Sequence, residues 1–304
     1  ASAAQQIESF FKRGRTTFVG NLPTVAKVVA GHSYWTFGTN NDLKTVRQKV
    51  SNMAKNNDVE AMQTEWSMLD AAPSVDAGFP ASYDAATKMD IALYMGKVIH
   101  CDLTFANVVG WSYWTAFAQE RYSQKNRLYL IRVNAKGDTG QESYGNIKQG
   151  GTLYADKNLW VLGNYSRFIR PGYKRIGMEG ADEMNGLLGS CWLSPDNGVM
   201  VAVFVNMGNE PKSVEMVMPA GYTIDKTEAY LTDKTHSLQL TDTPTQIPAR
   251  AVMTVVMTLA TTGMDRVEAS RSCTSDDYSL CGHKTTSTTK KGVCIKDGKK
   301  YMTN

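Results

Sequence analysis

Apolar positions in the first third of the chain follow two alternating periods. Ile7, Phe10 and Phe11 make a short helical face, Leu43, Val46, Val50 and Met53 repeat at helical spacing, and Met89, Ala92 and Leu93 continue a third helix. Runs of strand length follow these helices: Val25–His32, Val59–Glu65 and Asn107–Trp114. A repeated order of helix then strand predicts a parallel sheet covered by helices. Three such units cannot close a barrel, and an open three-stranded parallel sheet leaves unpaired edges, so further strand and helix units are expected before Ala1. In that setting Val28, Val29, Met62, Val108 and Val109 would have nothing to pack against.

Beyond Leu128 the grammar changes. One more helix is predicted through Leu159, Leu162, Tyr165, Ser166 and Ile169, stopped by Pro171-Gly172. Strand-like runs then recur at Leu187–Leu193, Val199–Met207, Ser213–Met218, Glu228–Leu231 and Ala251–Leu259, separated by turn sequences such as Pro195-Asp196-Asn197-Gly198. Regular short strands with turn signals predict an antiparallel β-sandwich. From Ala260 onward Ser, Thr, Lys and Asp dominate, which reads as a polar linker and tail.

Composition narrows the function classes. Lys and Arg number 33 against 29 Asp and Glu, a net charge of +4, too small for the footprint of a nucleic-acid binder. The longest uncharged apolar runs reach about half of the roughly 20 residues that a membrane helix needs, so no span is expected. Five cysteines with no CxxC, and no His at ligand spacing, support neither a zinc site nor a disulfide framework. No metal and no cofactor are expected. The 14 Tyr and six Trp suit either core packing or the stacking of sugars.

All three parallel strands end in polar and aromatic side chains, and in parallel α/β folds the functional face lies at the strands' carboxyl ends. Glu65 closes an otherwise strand-like run, where a carboxylate is either used or paired. His32 is either a hydrogen-bond donor to that carboxylate or a core histidine. His100 reads as structural. No Gly-x-Ser-x-Gly elbow and no phosphate-binding glycine loop occurs.

Four stretches carry a resemblance. Gly31-His32-Ser33-Tyr34-Trp35, Gln63-Thr64-Glu65-Trp66, Gly110-Trp111-Ser112-Tyr113-Trp114 and Leu159-Trp160-Val161-Leu162-Gly163-Asn164-Tyr165-Ser166-Arg167-Phe168-Ile169-Arg170-Pro171-Gly172 occur in that order. Over residues 1–260 the chain resembles glycoside hydrolase family 30. The resemblance implies a (β/α)8 barrel fused to a side β-sandwich, with residues 1–160 a partial barrel carrying strands six to eight. Residues 161–260 would be the sandwich, its start including the last barrel helix at 158–170, and 261–304 the linker and tail. It also implies retaining cleavage of β-linked polysaccharide, with Glu65 as nucleophile and His32, Tyr34, Trp111 and Trp114 at the sugar subsite. Of the two tryptophans, Trp114 is expected at the sugar.

Retaining hydrolysis needs a second carboxylic acid about 5–5.5 Å from the nucleophile. The resemblance places that acid on a strand before residue 1, so the chain as given is expected to be inactive. Asn209-Glu210-Pro211 mimics the family's acid motif, but it falls between two predicted sandwich strands. The stretches Gln119–Arg127 and Trp111–Trp114 resemble the endo-β-1,6-galactanase branch, with xylan and β-1,6-glucan as further substrates. Tyr278–Lys284 and Lys291–Lys300 are similar to the C-terminal sorting tails of secreted Bacteroidetes proteins, which implies a secreted, periplasmic or cell-surface protein. A non-catalytic carbohydrate-binding or scaffold protein on a degenerate half-barrel is the competing reading.

Overall fold

The computed structural model describes residues 3–136, 150–218 and 221–261, and the backbone of four short strands within 277–303. Residues 1–260 form one compact unit and 261–304 a second.

The first unit opens with α1 (Ala3–Phe11), β1 (Val28–His32), α2 (Asn40–Asn56), β2 (Glu60–Glu65) and α3 (Lys88–Thr104). β1 and β2 pair in parallel from Val28 opposite Glu60. The third expected run lies along β2, with Val109 N–H donating to Ala61 O at 2.9 Å, Gln63 N–H to Gly110 O at 3.0 Å and Ser112 N–H to Gln63 O at 3.0 Å. Only Trp111 opposite Gln63 forms a ladder bridge there.

Alternation along a strand separates neighbours onto opposite faces, which corrects the expectation for the five bare apolar residues. Val29 is buried, and Val108 partly so, in a cluster with Ile7, Phe11, Val50 and Ala54 from α1 and α2. Val28 and Met62 are half-buried, and Val109, on the opposite face, is 55% exposed. The helical faces also shift. Phe10 is exposed, and α2 buries Leu43, Arg47, Val50 and Ala54 rather than Val46 and Met53. Burial of Arg47 is possible because its charge is paired, as described below.

Helix α3 is buried nearly all round, from Met89 to Asp102, as expected of a helix packed on every side. Thr87 and Asp90 form a reciprocal capping box at its start: Asp90 N–H donates to Thr87 Oγ1 at 3.1 Å and Thr87 N–H to Asp90 Oδ2 at 2.8 Å. Burial alone would raise the Asp90 pKa, but these bonds and Arg250, at 2.6 Å, lower it.

After α3 come β3 (Phe117–Ala118), β4 (Ile131–Ala135) and β5 (Gly151–Ala155), a three-stranded sheet that the hydrophobic pattern does not announce, because every residue of β5 is exposed. Helix α4 (Lys157–Ser166) follows, then β6 (Lys174–Ile176), β7 (Leu187–Leu193), β8 (Val199–Asn206), β9 (Lys212–Ser213), β10 (Tyr222–Thr232), β11 (Gln239–Thr241), β12 (Gln246–Ile247) and β13 (Ala251–Thr261). Six of these form one sheet in the order β11-β10-β13-β8-β7-β6.

Both faces of that sheet are covered. Leu188, Trp192, Val201, Val203, Val205 and Val252 join the core around α3, while Leu187, Phe204, Met253, Val255 and Met257 form a core on the other side. A full second sheet is not present among the described residues. The ladder of Ser213–Met218 stops at Ser213, where β9 pairs with β12. Val214, Met216 and Met218 still alternate inward against the large sheet, with Val217 pointing out. The alternation marks burial there, not pairing.

The second unit contains β14 (Asp277–Ser279), β15 (Lys284–Thr285), β16 (Gly292–Lys296) and β17 (Lys299–Thr303) in the order β15-β14-β16-β17. The expected polar tail thus holds short strands. Cys273, Cys281, Gly282 and His283 lie outside the described residues. No described helix is long and apolar enough to cross a membrane.

Candidate active site

Glu65 sits at the carboxyl end of β2, and a register shift between Gly31 and His32 sets His32 opposite it. The Tyr34 hydroxyl, two residues past the end of β1, donates to Glu65 Oε1 at 3.2 Å and lies 3.4 Å from Ser67 Oγ. His32 Nδ1 is 3.7 Å from the same carboxylate oxygen, with both side chains reaching solvent. The histidine is therefore no core residue. Its ring meets the Tyr34 ring edge-on at 5.9 Å. Burial raises the Tyr34 pKa and the Glu65 charge adds to the rise, against an opposing bond to Ser67, so the phenol keeps the proton it donates.

The two tryptophans separate. Trp111 packs on Trp66 and stacks on Tyr113, and its Nε1 donates to Asp102 Oδ2 at 2.9 Å. Trp114 is 43% exposed and donates its N–H to Trp66 O at 3.0 Å. The Trp114–Thr115 peptide is cis.

Asp102, on α3, gathers three elements behind the strand ends. Arg47 Nε from α2 donates to its Oδ1 at 2.7 Å, and Ser33 Oγ, just past β1, donates to Oδ2 at 3.3 Å beside the Trp111 bond. Arg47 and Asp102 are both buried, and their ion pair with the Arg47 Nη1 bond to Thr36 O offsets that burial, while Arg47 Nη2 has no hydrogen-bond partner among the described residues. A cleft of about 630 Å³ runs along this network, lined by His32, Ser33, Tyr34, Trp35, Gln63 and Asp102 among others. Glu65 is not part of its lining, although both residues that touch Glu65 are.

Three residues at this end escape a reading of the sequence alone. Arg47 stands at helical spacing between Leu43 and Val50, and that position is its one legible signal. Trp35 has a left-handed backbone, φ 57°, and is 80% exposed. Asp70 accepts the Trp35 N–H at 2.8 Å. Elsewhere, Glu210 lies in the exposed segment between β8 and β9, where its carbonyl accepts from Asn206 Nδ2 at 2.9 Å. His100 is buried, and burial pushes its pKa down to about 3, which marks it as a neutral core histidine. Cys101 and Cys191 are free and buried, with burial pushing both thiols up to about 12. Among the described residues no group of three His, Cys, Asp or Glu could hold a metal.

The family model of O-glycosyl hydrolase family 30 matches residues 1–128. Residues 1–128 are thus similar to glycoside hydrolase family 30. Among solved structures, a conserved exported protein from Bacteroides fragilis aligns with a TM-score of 0.69 and 24% identity, over 83% of this chain and 50% of that one. A family 30 subfamily 8 xylanase from Clostridium acetobutylicum aligns with a TM-score of 0.50 and 18% identity, over 77% of this chain and 49% of that one. These likenesses concern the fold, and the chain spans about half the length of either protein. Glu65, His32, Tyr34, Trp111 and Trp114 all fall inside the matched residues.

Proposed function

We propose that the chain carries the nucleophile side of a retaining glycoside hydrolase site acting on β-linked polysaccharide. The observation that carries this reading is the hydrogen bond from Tyr34 to Glu65 Oε1, with His32 beside the same oxygen. A carboxylate so oriented attacks the anomeric carbon of a bound sugar as the glycosidic bond breaks. The resulting glycosyl ester is then hydrolysed by water. Tyr34 holds the attacking oxygen, while His32 and Trp114 face solvent where the sugar would lie. Trp111 backs the site from the Asp102 side.

Among the described residues, the polar groups on the Glu65 carboxylate are those of Tyr34 and His32, and neither is a carboxylic acid. In this reading the acid that protonates the leaving oxygen belongs to the part of the barrel that the aligned structures have beyond the chain's span. The three parallel strands are then barrel strands six to eight. Endo-β-1,6-galactan is the first substrate to try, with xylan and β-1,6-glucan next, and the likeness to an exported protein supports action outside the cytoplasm.

Aryl β-glycosides with a dinitrophenolate leaving group need no acid assistance. The chain should release a single burst of dinitrophenolate from one or more of the galactoside, xyloside and glucoside, since hydrolysis of the ester still needs the missing base, and Glu65→Gln should reduce the burst rate by at least about 10²-fold. Retention of more than about a tenth of the wild-type rate in Glu65→Gln would contradict the role.

A further inference from the structure

Trp35 is the most exposed large apolar side chain near Glu65, and its backbone sits in a region that bulky residues rarely adopt. Strain of that kind persists only where the surroundings impose it. Here they do. The Trp35 N–H is bonded to Asp70 Oδ2 at 2.8 Å, and the Asp70 carbonyl accepts from Tyr83 Oη at 2.8 Å and from Arg127 Nη2 at 3.2 Å. Arg127 also donates to Met68 O at 2.9 Å and Leu69 O at 3.1 Å, with its guanidinium 3.6 Å from the Tyr83 ring centroid. The segment that follows the Glu65 strand is thereby fixed, and Trp35 is fixed to it.

The Trp35 ring is 5.8 Å from that of Tyr34, whose hydroxyl touches Glu65. The indole therefore stands one aromatic ring away from the phenol that holds the carboxylate. Beside it along the cleft, His32, Ser33 and Thr36 carry hydrogen-bonding groups, within a lining that also includes Ala30, Val46, Val50 and Met62. A flat apolar ring bordered by donors and acceptors fits a pyranose, which has a C–H face and a hydroxyl edge. Large rigid side chains also give contact area at low entropic cost.

We propose that Trp35 is a stacking platform for the sugar next to the one at Glu65, so that the site takes chains of two or more linked sugars. The inference rests on the reading of Glu65 as the carboxylate of a sugar site.

The test titrates the full chain with β-1,6-galacto-, xylo- and β-1,6-gluco-oligosaccharides of one to six units, by calorimetry. Affinity should rise on going from one unit to two or more with at least one of the three series. Trp35→Ala should weaken binding of the longer members about tenfold, and Trp35→Phe should restore part of it. Thermal melts should show all three proteins folded. Affinity that does not depend on length, equal affinity in Trp35→Ala, or no binding by the wild type to any series would each overturn the proposal. If aryl glycosides release no dinitrophenolate while binding still depends on Trp35, Glu65 is not the nucleophile of the sugar site and the platform stands. A dinitrophenolate burst with binding indifferent to Trp35 keeps the Glu65 reading and removes the platform.

Discussion

The six-stranded sheet and the parallel β1-β2 ribbon solve burial in opposite ways. The large sheet is covered on both faces, and Leu188, Val203, Val205 and Val252 are wholly removed from solvent against α3. The ribbon is covered on one face only, where α1 and α2 meet Val29 and Ala61, and its other face shows Ala30, His32 and Val109 to solvent. Side chains that meet solvent can meet a substrate, whereas those sealed around α3 can only hold shape. Burial is concentrated in one region, and the proposed site lies at the end of the other. Asp102, at the carboxyl end of α3, joins them.

The greatest loss is expected where the regions meet. Asp102→Ala leaves Arg47 charged and buried without its partner and releases Ser33 and Trp111, and breaking such a pair costs about 3–5 kcal/mol. Urea unfolding should show a loss of that order, and a loss under about 1 kcal/mol would remove Asp102 from its joining role. Within the sheet, Leu188→Ala should cost about 2–5 kcal/mol, while Val109→Ala on the open face of the ribbon should stay within about 0.5 kcal/mol. Equal costs would erase the contrast between the regions.

A lesser effect, dependent on pH, is expected at Lys97. Its Nζ is buried among Asn40 Oδ1 at 2.6 Å, Ala77 O at 2.6 Å and Asn185 Oδ1 at 3.1 Å, with no carboxylate on it among the described residues. Burial lowers its pKa from 10.5 to about 8, the charge of Arg250 adding to the fall and Cys101 opposing it. Between those values the unfolded chain binds more protons than the folded one, so this group's contribution to stability rises from pH 8 to 10.5. The stability of the wild type relative to Lys97→Met should therefore improve across that window. A difference that stays flat or falls would show that the three oxygens hold the ammonium charged.

Legibility in the sequence follows the same division. Strand β7 coincides with its predicted bounds, because an apolar run closed by Pro195-Asp196-Asn197-Gly198 has few other outcomes. β10 extends well beyond Glu228–Leu231, since its first half is largely exposed and shows no apolar pattern. The β3-β4-β5 sheet is silent for the same reason. At the site, His32, Tyr34 and Glu65 lie together because they sit at or just past adjacent strand ends. The Arg47–Asp102 pair spans 55 residues and the Trp35 conformation is imposed by Asp70, so both depend on tertiary contacts that no local pattern carries.

The role of Glu65 as nucleophile stands or falls on covalent trapping. The chain is incubated with dinitrophenyl 2-deoxy-2-fluoro-β-glycosides of galactose, xylose and glucose, then digested and mapped by mass spectrometry. One fluoroglycosyl adduct is expected, on the peptide containing Glu65, and it should be absent in Glu65→Gln. An adduct on any other carboxylate, or one that persists in Glu65→Gln, would show that the nucleophile lies elsewhere.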